Sequence, residues 1–229
     1  MNKVTIIIPT LNEAESLNIL LQEIKFLKFK ELIEDVIIVD ANSTDNTQEI
    51  AEKYNCKLII ENEKKGYGAA IIDGINNSNS IYSAVLDGDG SKKPEYIYDL
   101  IQKINGSTDQ FVFATRYGKN SGSDDDTLLT HVGNRIFTNL GKMMFGLKIN
   151  DILHTFFICR TEEFKKLNFQ YNDFSFCVEL PILVNKFKLQ HSEIPTHERK
   201  RLAGKVKVNS FIDGFKILKS MIKLFFTNK

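Results

Sequence analysis

Asp87-Gly88-Asp89 carries the densest chemistry in the chain. The two acids sit at i and i+2 directly after the apolar run 81–86, which reads as a buried strand. On extended backbone, i and i+2 share a side. At the C-terminal end of a strand in an open α/β sheet, that side faces the ligand crevice. Two carboxylates so close repel unless a cation stands between them. Hard oxygen ligands suit Mg²⁺ or Mn²⁺, and such ions also take ligands from a substrate's phosphates. Asp-Gly is equally the chemistry of a surface turn, so the pair gains its meaning from what else the chain places near it.

Three other strand ends carry polar residues that could face the same crevice: Pro9-Thr10-Leu11-Asn12-Glu13, Asp40-Ala41-Asn42-Ser43-Thr44-Asp45, and Lys64-Lys65-Gly66-Tyr67-Gly68-Ala69-Ala70. Glycines 66 and 68 at a helix start allow close backbone approach, and the free N–H groups there favour an anion. Lys65 adds a point charge suited to a diphosphate. The spacing is not that of a dinucleotide-binding fingerprint. Asp40 could accept hydrogen bonds from a nucleobase or ribose, or could equally serve as a cap or turn aspartate.

The elements that position these residues alternate strand and helix. Apolar runs mark strands over 4–8, 36–40, 58–60, 81–86 and 111–114, and helical spacing marks 13–27, 47–54 (with Asp45 or Thr44 as N-cap), 68–75 and 94–104. Strands that are unbroken apolar runs between helices indicate an α/β fold: a mostly parallel central sheet with helices on both faces. Residues 119–126, a Gly/Ser/Asp cluster, read as a mobile loop. The second half is less regular, with a helix over 128–145, a short strand near 152–159, a helix near 176–187, a basic stretch 199–207 and an amphipathic helix over 210–226.

Composition narrows the classes. The chain has 229 residues, which suits one large domain or a domain with an extension, and its net charge of +1 gives no global reason to expect nucleic acid. Cys56, Cys159 and Cys177 have no metal-ligand spacing and fit reduced thiols, most simply buried ones, in a cytoplasmic protein. His131, His154, His191 and His197 also lack ligand spacing. The apolar run at the N-terminus is too short for a signal peptide, and no stretch is long and apolar enough to span a bilayer.

Three segments in this order, 8–13, 38–47 and Asp87-Gly88-Asp89, resemble the family 2 glycosyltransferases, which have the GT-A fold, a Rossmann-like nucleotide-sugar-binding architecture. The resemblance runs from Val4 to about Lys207. It implies a catalytic domain over 1–208 followed by the C-terminal helix, 209–229. It also implies a nucleoside-diphosphate-sugar site made by Pro9, Leu11, Glu13, Asp40, Lys65, Gly68, Asp87, Gly88 and Asp89. Asp87, Asp89 and Ser91 would hold Mg²⁺ or Mn²⁺.

Within that family the second half is most similar to the polyprenyl-phosphate sugar transferases of the dolichol-phosphate mannose synthase type. The matching pieces are Ala114-Thr115-Arg116-Tyr117, Gly133-Asn134-Arg135 through Asn139, Phe145-Gly146, Asp151 and the basic segment from Arg201 to Lys207. The resemblance implies a lipid-phosphate acceptor held by Arg116, Arg135, Asn139, Glu179, Arg201 and Lys207. Asp89 and Arg116 would be the catalytic residues, and the sugar would be transferred with inversion. An ionised phosphate acceptor needs no strong general base but does need cations to gather two anionic substrates, and arginine forks suit phosphate.

Arg135 and the run 199–207 could instead be solvated charge, and Glu179 a plain exposed residue. The chain departs from the pattern at His154-Thr155-Phe156-Phe157, where a glycine and a basic residue are expected. It departs again after the acids, where Ser91 and Lys92 replace a Gln or His, and at Val206, where a serine is usual. A sugar hydroxyl as acceptor, with Glu179 as base, is the nearest alternative, and a non-catalytic nucleotide-sugar-binding protein is an alternative of another class. No loop of the sugar-1-phosphate nucleotidyltransferase type follows the first strand. In the last helix Phe211, Ile212, Phe215, Leu218, Ile222 and Phe225 form an apolar face, with Lys216, Lys219 and Lys223 elsewhere. Such a helix suits the cytoplasmic membrane face, a membrane partner or a subunit contact.

Overall fold

A computed structural model describes residues 2–61, 65–204 and 210–227. The strands are β1 (Val4–Thr10), β2 (Ile33–Asp40), β3 (Lys57–Ile60), β4 (Tyr82–Val85), β5 (Phe111–Thr115), β6 (Gly122–Ser123), β7 (Phe157–Arg160), β8 (His191–Pro195) and β9 (His197–Glu198). The α-helices are α1 (Ala14–Lys25), α2 (Thr47–Lys53), α3 (Tyr67–Asn76), α4 (Tyr96–Asn105), α5 (Leu128–Phe145), α6 (Thr161–Lys165), α7 (Phe176–Lys186) and α8 (Ser210–Thr227). Seven strands form one sheet in the order β3-β2-β1-β4-β7-β5-β8, and β6 pairs with β9 apart from it.

Every residue of β1 is buried, as befits a Val/Ile run covered on both faces. The two-residue alternation of a strand sends Ile7, Ile37, Val39 and Val85 into one core and Ile6, Ile8, Ile38 and Ala84 into the other. The first core takes Ile71 and Ile75 of α3, Val178 of α7, and Ile217, Met221 and Leu224 of α8. The second takes Leu17, Leu20, Leu21 and Ile24 of α1, and Ile97, Leu100, Ile101 and Ile104 of α4, each set at three- and four-residue spacing.

Parallel pairing aligns the strand ends. Thr10 stands beside Asp40 and Ile7 beside Val85, so the segments after β1, β2 and β4 all emerge at one edge. From β1 the order runs to β2 and β3 on one side and to β4 on the other. A topological switch point therefore lies between β1 and β4, where open α/β sheets hold ligands.

The mostly parallel sheet with helices on both faces is as the sequence predicts, with three differences. β7 runs antiparallel to both β4 and β5, and it begins at Phe157 because residues 152–156 form the turn that feeds it. β8, His191-Ser192-Glu193-Ile194-Pro195, has no apolar run to mark it, and β9 and the short helix α6 have too few residues for their periodicity to show. The loop 119–126 is anchored, since Gly122 and Ser123 pair with His197 and Glu198. At α2 the cap position falls on Asn46, while Asp45 still accepts the Thr47 N–H at 3.0 Å.

Candidate active site

A cleft of about 530 Å³ opens at the switch point. Pro9 and Thr10 at the end of β1, Leu11 and Glu13 in the loop after it, and Asp87, Gly88, Asp89 and Ser91 after β4 line it. Gly66, Tyr67 and Ala70 come from the start of α3, and Asp125, Glu198 and Arg201 add charge. Leu153, Phe174, Cys177 and Ile217 add apolar surface.

Asp89 is one of two neighbouring acids that line this space. Its Oδ1 accepts the Ser91 N–H at 3.0 Å, and Arg201 Nη1 lies 3.6 Å from its Oδ2. Burial and the neighbouring Asp87 charge hold its carboxyl above the usual range, against the pull of Ser91 and Arg201. A cation would relieve both effects. The donor set fits Mg²⁺ or Mn²⁺, which is commonly held by one or two carboxylates while phosphate and water oxygens complete its shell. Asp87 also lines the cleft, but both of its oxygens are engaged. Its Oδ1 accepts from Tyr67 Oη at 2.6 Å and its Oδ2 from Lys92 Nζ at 2.8 Å.

Asp40 is fully buried and does not line the cleft. It accepts from Thr10 Oγ1 at 3.0 Å, from the Ser43 N–H at 2.8 Å and Ser43 Oγ at 2.5 Å, and from Gln48 Nε2 at 2.9 Å. It thereby fixes the loop behind Ala41, which does line the cleft.

The glycines near α3 serve a different purpose from the one their spacing suggests. Gly66 has φ +115°, which glycine tolerates, and a Cβ there would sit 2.5 Å from the Asn172 carbonyl oxygen. A Cβ on Gly68 would sit 2.5 Å from Phe176 Cβ. The Ala69 N–H already donates to the Asn172 carbonyl at 3.0 Å. Gly68 thus admits the segment before α7 rather than a phosphate. Gly68→Ala is expected to cost about 1–3 kcal/mol through overpacking, seen as a lower thermal midpoint; an unchanged midpoint would contradict this packing role. Lys65 is exposed and pairs with Asp73 at 2.9 Å.

The residues that the sequence assigns to an acceptor are scattered. Arg201 lines the cleft and pairs with Asp125 at 2.8 Å. Arg116 does not line it. Its guanidinium lies 2.8 and 2.9 Å from the Asp151 oxygens, 3.0 Å from Glu198 and 3.5 Å from Asp126, so every nitrogen faces a carboxylate. Arg135 is exposed and stacks over the Tyr117 ring at 4.5 Å, and Asn139 is exposed on α5. Glu179 is fully buried, accepting the Gln170 and Tyr171 N–H groups at 2.8 and 3.0 Å. It is a loop anchor, because a buried carboxylate in an apolar helix must find donors and the adjacent turn supplies them. Lys207 lies outside the described residues.

Sequence reasoning missed Tyr67, Lys92, Thr155, Phe174, Asp125 and Glu198. Two of these had a signal: Lys92 follows the acids directly, and Thr155 sits in the stretch where the expected glycine is absent.

Comparison with known proteins agrees with this architecture. The model of glycosyl transferase family 2 matches residues 5–167. The dolichol-phosphate mannosyltransferase of Pyrococcus furiosus is 28% identical over 213 residues, covering 90% of this chain. The chain spans 59% of that relative's length. Among solved structures, mannosyl-3-phosphoglycerate synthase from Rubrobacter xylanophilus superposes with a TM-score of 0.78 at 17% identity, over 97% of this chain and 73% of that one. Glucosyl-3-phosphoglycerate synthase from Mycobacterium tuberculosis, solved with Mn²⁺, UDP-glucose and phosphoglyceric acid, gives a TM-score of 0.74 at 15% identity, over 98% and 80%. At such identities the two structures speak to the fold.

Proposed function

The chain belongs to glycosyl transferase family 2, and on that footing we propose that it is an inverting, metal-dependent hexosyltransferase acting from a nucleoside-diphosphate sugar onto a polyprenyl phosphate. The observation that carries this reading is the mixed lining of the cleft. Glu13, Asp87, Asp89 and Arg201 bring charge, and Leu153, Phe174, Cys177 and Ile217 bring apolar surface, with Ile217 supplied by α8. A charged donor and a phosphate with an apolar tail call for both kinds of lining.

Asp89, with Asp87 and Ser91 beside it, would hold Mg²⁺ or Mn²⁺, which supplies positive charge where the diphosphate departs. The chain's own groups do the rest. The β1 loop, braced by Asp40, borders the nucleotide, and Arg201 draws in the acceptor phosphate. An acceptor phosphate oxygen bonds the anomeric carbon from the face opposite the breaking bond, whose electron pair leaves with the diphosphate. The acceptor is already ionised, so no general base is required. A hydroxyl acceptor has lost its candidate base, since Glu179 is buried and occupied.

The outer surface supports a lipid acceptor. On α5, Leu128, Val132 and Ile136 recur at four-residue spacing and are exposed, as is Met143. On the adjoining α8, Phe215, Ile222 and Phe226 are exposed beside Lys216, Lys219 and Lys223. A basic amphipathic pair of this kind can lie in a membrane interface. No helix among the described residues is long and apolar enough to cross a membrane.

The test is transfer of label from GDP-mannose and UDP-glucose, with and without Mg²⁺ or Mn²⁺, to a short-chain polyprenyl phosphate or to 3-phosphoglycerate. Metal-dependent label in the organic phase is the expected result and would name the donor. Label found only in a water-soluble product would overturn the lipid acceptor while keeping the transferase.

A further inference from the structure

The two acids of the cleft are not equivalent, because Asp87 is closed into a ring. Lys92 Nζ donates to Asp87 Oδ2 at 2.8 Å and to Thr155 Oγ1 at 3.0 Å. Thr155 Oγ1 bonds Tyr67 Oη at 2.5 Å, and Tyr67 Oη donates to Asp87 Oδ1 at 2.6 Å. With Thr155 as donor to Tyr67, the protons run one way round, from Lys92 through Thr155 and Tyr67 to one oxygen, while a second Lys92 proton meets the other. The Lys92 side chain is 1% exposed and does not line the cleft. A buried ammonium is tolerated only beside an opposite charge with its protons satisfied, and Asp87 and Thr155 meet those needs. Both Lys92 and Thr155 stand where the chain departs from the pattern it otherwise resembles.

The ring changes the charge that a ligand meets. Asp87 is matched by Lys92 and has both oxygens engaged, whereas Asp89 shares Arg201, at 3.6 Å, with Asp125 at 2.8 Å. Among the described residues no three His, Cys, Asp or Glu side chains form a group that could hold a metal ion. A free divalent ion therefore finds no ready set of protein ligands at this pair, whereas a diphosphate brings the missing oxygens.

Resting on the donor-site reading above, we propose that Lys92 is a positioning residue that holds Asp87 fixed and neutralised. The divalent ion then enters with the diphosphate rather than before it, and the nucleoside diphosphate keeps affinity without the ion.

Calorimetry tests this with Mn²⁺ alone and with GDP and UDP, each with Mn²⁺ or with EDTA, on the wild type and on Lys92→Gln. The wild type is expected to bind Mn²⁺ weakly without nucleotide and to retain nucleotide binding in EDTA. In Lys92→Gln, Mn²⁺ alone should bind about tenfold tighter and nucleotide in EDTA about tenfold weaker, the scale of one charge at short range in a partly wet site. Opposite shifts separate this role from structural damage, which would weaken both. Tight Mn²⁺ binding by the nucleotide-free wild type, or loss of all its nucleotide binding in EDTA, would overturn the proposal even if Lys92→Gln fails to fold. Parallel shifts in a folded Lys92→Gln would overturn it too. If neither nucleotide binds under any condition, the donor-site reading itself falls.

Discussion

Asp89→Ala is expected to yield a folded protein whose metal-dependent transfer falls by roughly a thousandfold, the several kcal/mol of leaving-group stabilisation that a bound divalent ion contributes. Asp89 is the right position because, of the two acids lining the cleft, it is the one whose carboxylate is less committed. Asp87 has both oxygens engaged by Tyr67 and Lys92, whereas Asp89 Oδ2 has Arg201 at 3.6 Å. The fold should survive, since the Asp89 side chain is partly exposed and the Leu202 N–H holds this loop through the Asp89 carbonyl, which alanine keeps. Circular dichroism and a thermal melt check the fold, and label transfer checks the activity. Turnover at the wild-type level would remove the central claim about this site.

Arg116→Ala should be felt first in stability. The guanidinium neutralises Asp151, which is 3% exposed, and also faces Glu198 and Asp126. Removing one partner of such a buried cluster leaves uncompensated charge and costs about 3–5 kcal/mol. In a domain of this size that lowers the thermal midpoint by roughly 10 °C.

The pH dependence gives a sharper test. Burial alone would raise the Asp151 carboxyl, but the hydrogen bonds and charge of Arg116 more than reverse this and take it from 3.8 to about 2. A depressed carboxylate contributes stability that is present above its unfolded value and is lost as pH falls through its folded value. The wild type should therefore lose this contribution between about pH 4 and pH 2. In Arg116→Ala burial remains without its counter-charge, so the carboxyl rises and protonation relieves the strain. The gap in midpoint between the two proteins should narrow as pH falls through that window. A gap independent of pH would show that the Arg116–Asp151 pair is not what holds this region.

The sheet and the edge that carries the two acids were legible in the sequence because they rest on local patterns. Val/Ile runs ending at Thr10, at Asp40 and just before Asp87 show both the strands and the edge where their polar ends meet. The partners of several predicted site residues were not legible, because they come from parts of the chain far apart in sequence. Arg116 reads as a free phosphate ligand until Asp151, Asp126 and Glu198 are folded around it. Glu179 reads as a base until the turn at 170–171 presents its N–H groups. Gly68 reads as a phosphate cradle until Phe176 fills the space a Cβ would need. In each case the residue type was noticed and the partner came from another part of the chain, which spacing along the sequence cannot reveal.

The antiparallel β7 also bears on how the protein is made. The ribosome releases β3, β2, β1 and β4 early, and they can assemble as an N-terminal unit. The outer edge of β4, however, has no neighbour until residues 157–160 emerge. During that interval it is an open row of N–H and C=O groups, a template for wrong pairing. Joining β4 to β7 closes a long loop and is inherently slow. Thr155 lies just upstream of β7, and through Tyr67 and Lys92 it fixes the acid loop. A nascent chain stalled before this point would carry Asp87 and Asp89 without their final geometry. The joining of β7 to β4 and the fixing of the acid loop thus fall in the same late step of biosynthesis.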